Sequence, residues 1–418
     1  MHVVERYASW AAGWRSQPIP PEVLHHAKRA VIDWHAALLP GSIVAPATLL
    51  KKALGEGDAR TLALINGAAA HTVEVDDIYR DGIYHPGAPT IAAAHALGFE
   101  RRNFLRAVIV GYEISTRIGA AMGRAHYRYW HNTGTIGCFG ACAATAELLQ
   151  LDRARFAHAL ATVTTFAAGL QQAFRMDSMS KPLHAGRAAE AGVTAALAAR
   201  EGVTGSRDVM EGEAGFGRAM GDNPDWEKAL AGLGRDFHIT RMTFKNHACC
   251  GHTFAAIDGA LALKGKHNLR TEDIERVDVG TYRAGVEVAH YAQPRTAAEA
   301  RFSMKYVVAT ALTHGSVRLA AFEPARLNDH ATRALMHKVS VSLDPELDAT
   351  FPRQRAARVA ITARGRREEL LQPTRKGDPD LPLSDAEVEE KFMELAAPVL
   401  GKQGAQSLLA RLWKLECD

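Results

Sequence analysis

The chain has 418 residues, 47% hydrophobic and 23% charged, with 50 Lys and Arg against 46 Asp and Glu for a net charge of +4. That length is more than one compact core usually holds and predicts two domains, and the composition is far from that of disordered chains. The charges nearly balance and no basic block stands apart from acids, which argues against nucleic acid or a membrane surface as a partner.

The five cysteines, Cys138, Cys142, Cys249, Cys250 and Cys417, contain no C-x-x-C pair. A disulfide framework and a structural zinc or iron–sulfur centre are therefore not expected, and a reducing compartment fits. The start, Met-His-Val-Val-Glu-Arg-Tyr-Ala, lacks the basic and apolar parts of a signal peptide, and no apolar run reaches the ~18 residues of a membrane helix. A cytoplasmic protein is expected.

From the start to about residue 235 the pattern is helical and rich in alanine. Pro20-Pro21-Glu22-Val23-Leu24 reads as a helix start, with apolar residues returning at Val23, Ala27, Ala30, Val31 and Trp34. Further small-residue helices are predicted at 60–73, 87–98, 103–121, 133–148, 153–173, 184–200 and 224–233, and their Ala and Gly content favours a closely packed bundle. Gly134-Thr135-Ile136-Gly137 follows no strand, so it does not read as a phosphate cradle.

Near residue 240 the pattern changes. Residues 276–282, 338–343 and 358–363 alternate apolar and polar side chains as half-buried strands do, with helical stretches at 252–264, 298–313 and 328–337 between them. This predicts an α+β insert with a small antiparallel sheet. Ser384-Asp385-Ala386-Glu387 then opens a new helix. The expected architecture is mainly α: a large helical domain from 1–240 and 378–418, and a smaller α+β lid domain over 241–377.

Five segments concentrate titratable groups. The first runs His71-Thr72-Val73-Glu74-Val75-Asp76-Asp77 and on to His85-Pro86, putting acids and imidazoles into an otherwise apolar helical stretch. Such residues are rarely buried unless paired or functional, and catalysis is the obvious use. The others are His131-Asn132-Thr133-Gly134, where a following helix N-terminus would favour anions; Ser180-Lys181-Pro182-Leu183-His184; Phe244-Lys245-Asn246-His247 with Cys249-Cys250; and Glu299-Ala300-Arg301-Phe302-Ser303-Met304-Lys305-Tyr306. Singly, each has a plain structural reading. His85 and His131 could be satisfied structural histidines, Asp76 and Asp77 a cap or half an ion pair, Lys181 and Lys245 surface lysines, and Tyr306 a core aromatic bonded to a carbonyl. Cys249-Cys250 reads as two small buried residues, since adjacent cysteines rarely bridge.

Together, and in this order, these segments resemble the MmgE/PrpD family, which includes 2-methylcitrate dehydratase, cis-aconitate decarboxylase and iminodisuccinate epimerase. The resemblance spans nearly the whole chain and also takes in Gly111-Tyr112-Glu113, Lys181-Pro182-Leu183-His184-Ala185-Gly186-Arg187, Gly215-Phe216 and Asp344-Pro345-Glu346-Leu347. It implies a cofactor-free and metal-free enzyme, a homodimer, and a small di- or tricarboxylate substrate. Carried over residue by residue, it implies His85, His131, Asp76, Asp77 and Tyr306 as catalytic groups, and Glu74, Lys181, Lys245 and His247 as substrate-binding groups. In that reading a histidine moves a proton beside a carboxylate, an acid fixes its tautomer, and the lysines hold substrate carboxylates. Which of His85 and His131 is the base stays open.

Two departures bear on the substrate. The family's acidic motif typically begins with Asp where this chain has Glu74, and its dehydratase and decarboxylase members usually carry Thr where this chain has Ile78. The missing hydroxyl weakens the methylcitrate and cis-aconitate assignments. The expectation is a lyase of the hydro-lyase type, with an epimerase or decarboxylase on the same site as alternatives, and a non-catalytic carboxylate-binding relative as a third.

Overall fold

The computed structural model describes residues 1–55, 57–174, 178–351 and 353–416. Cys417 lies outside them; Cys138, Cys142, Cys249 and Cys250 are all buried. The chain is mainly helical with one small four-stranded sheet, and it divides into two compact units, Met1–Thr243 with Ser384–Asp418, and Phe244–Leu383.

Six helices organise the first unit: α1 (Pro21–Ser42), α2 (Ala59–Thr72), α3 (Gly87–Gly98), α4 (Phe104–Tyr127), α5 (Gly137–Leu148) and α6 (Ser180–Arg200). α5, Gly-Cys-Phe-Gly-Ala-Cys-Ala-Ala-Thr-Ala-Glu-Leu, is buried on every face, as a helix without a polar stripe must be. It packs against α3, α4 and α6 and forms the centre of the bundle.

α2 begins at Asp58, whose carboxylate accepts from the amides of Arg60 and Thr61, 3.0 and 3.1 Å away. Its course is then fixed by glycine. A Cβ on Gly67 would lie 2.9 Å from the Cα of Gly186, and one on Gly186 would lie 2.2 Å from the Leu64 carbonyl oxygen. α2 and α6 thus touch backbone to backbone at a point four residues from His71 and two from His184. The C-terminal helix Asp385–Trp413 is capped by Ser384 and closes on the same region. Its buried Lys391 donates to Asp33 of α1 (2.5 Å) and to the Val75 carbonyl (2.7 Å).

The second unit holds strands β1 (Ile274–Thr281), β2 (Val339–Leu343), β3 (Ala357–Ala363) and β4 (Arg366–Gln372) in the order β2-β1-β3-β4. Helix α7 (Phe254–Lys266) packs on β3 and β4, and α8 (Met304–His314) packs on α7 and β2. The sheet is mixed and not antiparallel as expected, because β1 and β2 pair in parallel, Val277 opposite Val339. Between them the chain makes a long helical crossover, the connection a parallel pair requires. β4 was not foreseen; Arg366-Arg367-Glu368-Glu369 masks its alternation, and its side chains stay largely in water at the sheet edge. In the first unit, the helix expected over 153–173 is an α-helix only from Arg153 to Thr164.

Gly186→Ala should destabilise the protein by about 1–3 kcal/mol, because its methyl meets backbone that cannot give way. Denaturant unfolding checks this. A midpoint equal to wild type would mean that the α2–α6 approach is looser than described.

Candidate active site

The residues from Val73 to Pro86 leave α2 and return to α3 without regular helix, and several side chains tie them down. Ile78 exchanges backbone hydrogen bonds with Thr243, 2.8 and 2.9 Å. Tyr84 donates to Ser115 (2.8 Å), and Asn132 donates to the Gly82 carbonyl (2.7 Å). Glu74 adopts φ 61°, the left-handed region that non-glycine residues seldom occupy, and its carboxylate pairs with Lys181 in the first turn of α6.

Asp76 is the hub. It is only 1% exposed. Its Oδ2 lies 2.6 Å from Nδ1 of His71, a hydrogen bond, and 3.2 Å from Nδ1 of His85. The His71 ring stands edge-on to His85, 4.7 Å between centroids, and stacks on His131 at 5.4 Å. His131 Nδ1 is 3.0 Å from His184 Nδ1, so one ring donates and the other accepts. The imidazoles form a continuous row from His85 through His71 and His131 to His184. His184 and Arg187 also line a cavity of about 560 Å³ with Gly169, Leu170 and Ser178. His85 keeps a side-chain exposure of 15%, so this end of the row meets water.

Burial decides the charge state of His71, His131 and His184. It lowers His71 to about 4 against the pull of Asp76, and it lowers His131 well below the usual imidazole value, with His71 and Lys181 adding to the effect. His184 is lowered by the same cause. The three are neutral at pH 7.

Asp77, next in sequence, faces the other way. Its Oδ2 accepts from Tyr112 (2.7 Å) and its Oδ1 from the Gly87 amide (3.0 Å). Gly87 is required there, since a Cβ would come within 2.6 Å of the Tyr112 hydroxyl and 2.9 Å of Asp77. Burial first, then Asp33, raises the Asp77 carboxyl to about 7. Of the two acids, Asp76 is the one that contacts imidazoles, and Asp77 holds the start of α3.

Other expectations change as well. Lys181 lies inside α6 and is balanced by Glu74, so it does not face a substrate as an unopposed charge. The turn after His131, Asn132–Thr135, is only four residues and offers no helix-terminal anion site. In the second unit, His247 is bonded to Asp258 of α7 (2.9 Å), which also accepts from the Lys376 amide (2.7 Å). Lys245 is buried, 3% exposed. Tyr306, with no exposure, donates to the Ala321 carbonyl at 2.5 Å, which commits its hydroxyl hydrogen to the core and removes the reason to expect it as an acid. Cys249 lies 3.2 Å from the Thr253 hydroxyl, as a small buried residue does. Sequence reasoning did not select His71 or His184. The signal was present in their spacing, His71 in the last turn of a helix five residues before Asp76, and His184 one helical turn after Lys181.

The model of the MmgE/PrpD N-terminal domain matches residues 5–229, and that of the MmgE/PrpD C-terminal domain matches residues 247–415. The chain belongs to the MmgE/PrpD family and is an enzyme of the lyase type. Among curated proteins it is 27% identical to a cis-aconitate decarboxylase-like protein of Aspergillus oryzae, over 99% of this chain and 95% of that one. It is 26% identical to the cis-aconitate decarboxylase of Homo sapiens, over 99% and 92%, and 25% identical to that of Aspergillus terreus, over 86% and 82%.

The lowered histidines make a pH prediction. With His71 and His131 below the ordinary value near 6.5, the unfolded chain binds more protons than the folded one between about pH 4 and 6.5, so stability falls as pH drops through that window. Asp77, raised to about 7, acts in the opposite sense between about pH 4 and 7 and offsets part of the loss. Melting temperature should therefore fall from pH 6.5 to 4.5, and less steeply in His71→Asn, which lacks one group worth about 1.4 kcal/mol per pH unit. An equally steep fall in that variant would contradict the neutral, buried assignment.

Proposed function

We propose that this enzyme is a cofactor-independent lyase that acts on a small di- or tricarboxylate by moving a proton at a carbon beside a carboxylate, with His85 as the proton carrier. The observation that carries this reading is the Asp76 carboxylate placed between the Nδ1 atoms of His71 and His85. His85 Nδ1 lies 3.2 Å from that carboxylate oxygen, and with its hydrogen on this nitrogen the ring would present Nε2 as the atom that exchanges protons with substrate. His71 takes no proton itself. It positions Asp76, and its neutral ring separates His85 from His131.

Among lyase reactions we favour decarboxylation, on two grounds. The curated relatives reported above are named cis-aconitate decarboxylase or cis-aconitate decarboxylase-like. The surroundings also suit it: three neutral imidazoles and a lysine already balanced by Glu74 give a departing carboxylate little to hold it in its charged form. In that step the carbon–carbon bond breaks, CO₂ leaves, and the electron pair remaining on carbon takes the proton from Nε2 of a protonated His85. Dehydration would run the same group the other way, with His85 taking the carbon-bound proton as hydroxide departs.

A second carboxylate of the substrate would compete with Glu74 for Lys181. Lys245 and His247 as substrate-binding groups, and a homodimeric assembly, rest on family membership. Glu74 and Ile78 argue that the substrate differs from cis-aconitate in the part they face.

Incubation in deuterated buffer with a panel of hydroxy, imino and unsaturated di- and tricarboxylates, followed by proton NMR, tests the reading. The expected result is release of CO₂ with one deuterium on the former carboxyl-bearing carbon. Olefin formation with water loss would make it a dehydratase, and exchange with inversion an epimerase. No exchange and no turnover across the panel would overturn the catalytic reading, and stabilisation without turnover would point to a binding protein.

A further inference from the structure

We infer that His71, Asp76 and His85 form a binding site for a divalent transition-metal ion, such as zinc, whose occupancy shuts the enzyme off. One ligand atom from each residue can be chosen so that all three lie within 4.8 Å of one another. Two of these approaches are already short, 2.6 Å from His71 Nδ1 to Asp76 Oδ2 and 3.2 Å from His85 Nδ1 to the same oxygen. An ion about 2.0–2.2 Å from two imidazole nitrogens and a carboxylate oxygen needs its ligand atoms roughly 3–3.5 Å apart. The cluster is near that spacing, and rotation of His85, the member in contact with water, supplies the adjustment without moving backbone.

The donor set fits the class of ion. Imidazole nitrogens with one carboxylate suit zinc and similar borderline cations over calcium or magnesium, which prefer oxygen. The local charge does not repel a cation, because the nearby Lys181 is offset by Glu74. Three protein ligands leave a fourth position open toward the exposed side of His85, for water or a substrate carboxylate.

The ion would inhibit and not assist, because it engages the groups that the proposed proton transfer uses: Asp76 could no longer orient His85, and His85 Nδ1 would lose its hydrogen. This consequence rests on the function proposed above; the binding itself does not. The site would make the enzyme responsive to free zinc without any separate regulatory domain.

Calorimetric titration of the chelator-treated, full-length protein with zinc chloride tests the site without reference to turnover. One ion per chain should bind with a dissociation constant in roughly the micromolar range. Asp76→Asn and His85→Gln should each weaken it by about 30-fold or more, with circular dichroism confirming that each variant folds. Absence of saturable binding, or affinity unchanged in both variants, would overturn the site. If a substrate has been found, zinc should abolish its turnover and a chelator restore it; binding without inhibition would overturn the inhibitory role. Binding that disappears in the variants of a protein with no turnover on any substrate would uphold the site while the catalytic reading fails.

Discussion

Asp76 is a carboxyl group with almost no access to water, and one of its oxygens, Oδ2, is set 2.6 Å and 3.2 Å from the Nδ1 atoms of two histidines 14 residues apart in sequence. His71 comes from the last turn of α2, and His85 from the loop that leads into α3. Keeping both against one oxygen sets where α2 ends, how the intervening loop folds back and where α3 begins. The ties of that loop to Thr243, Ser115 and Asn132, and the close glycine approach of α2 to α6, serve the same geometry.

The neighbouring charges are arranged so that none competes with this contact. Lys391 from the C-terminal helix answers Asp33 and holds the Val75 carbonyl, one residue before Asp76. Asp77 is turned away to Tyr112 and Gly87 and raised to about 7. Glu74 answers Lys181 at the cost of a left-handed backbone. Truncating one member of such a buried set leaves another unpaired, so the cost of each change exceeds the strength of the single bond removed.

Much of this was legible in the sequence. Alanine-rich stretches without a polar stripe marked the buried helices, and α5 shows why, since every face of it is covered. The acids and imidazoles near residue 75 marked the candidate site because burial of such groups needs a cause. What could not be read was pairing at a distance. Parallel pairing of β1 with β2 leaves no local trace, since each strand alternates alike in either direction. Adjacent Asp76 and Asp77 looked interchangeable, yet outside regular helix they diverge, one to imidazoles and one to a tyrosine. Tyr306 was legible only as a tyrosine near other polar residues, and the Ala321 carbonyl that takes its hydrogen is 15 residues away.

The central claim is that Asp76 and His85 act as one unit. The most direct measurement is the kcat/KM of Asp76→Asn, His85→Gln and the double variant on the substrate that the panel identifies. Groups acting together lose most of their effect when either is removed. Each single change should cost about 100-fold or more, and the double variant should be no slower than the slower single one. Full activity in Asp76→Asn, or losses that multiply in the double variant, would contradict the account.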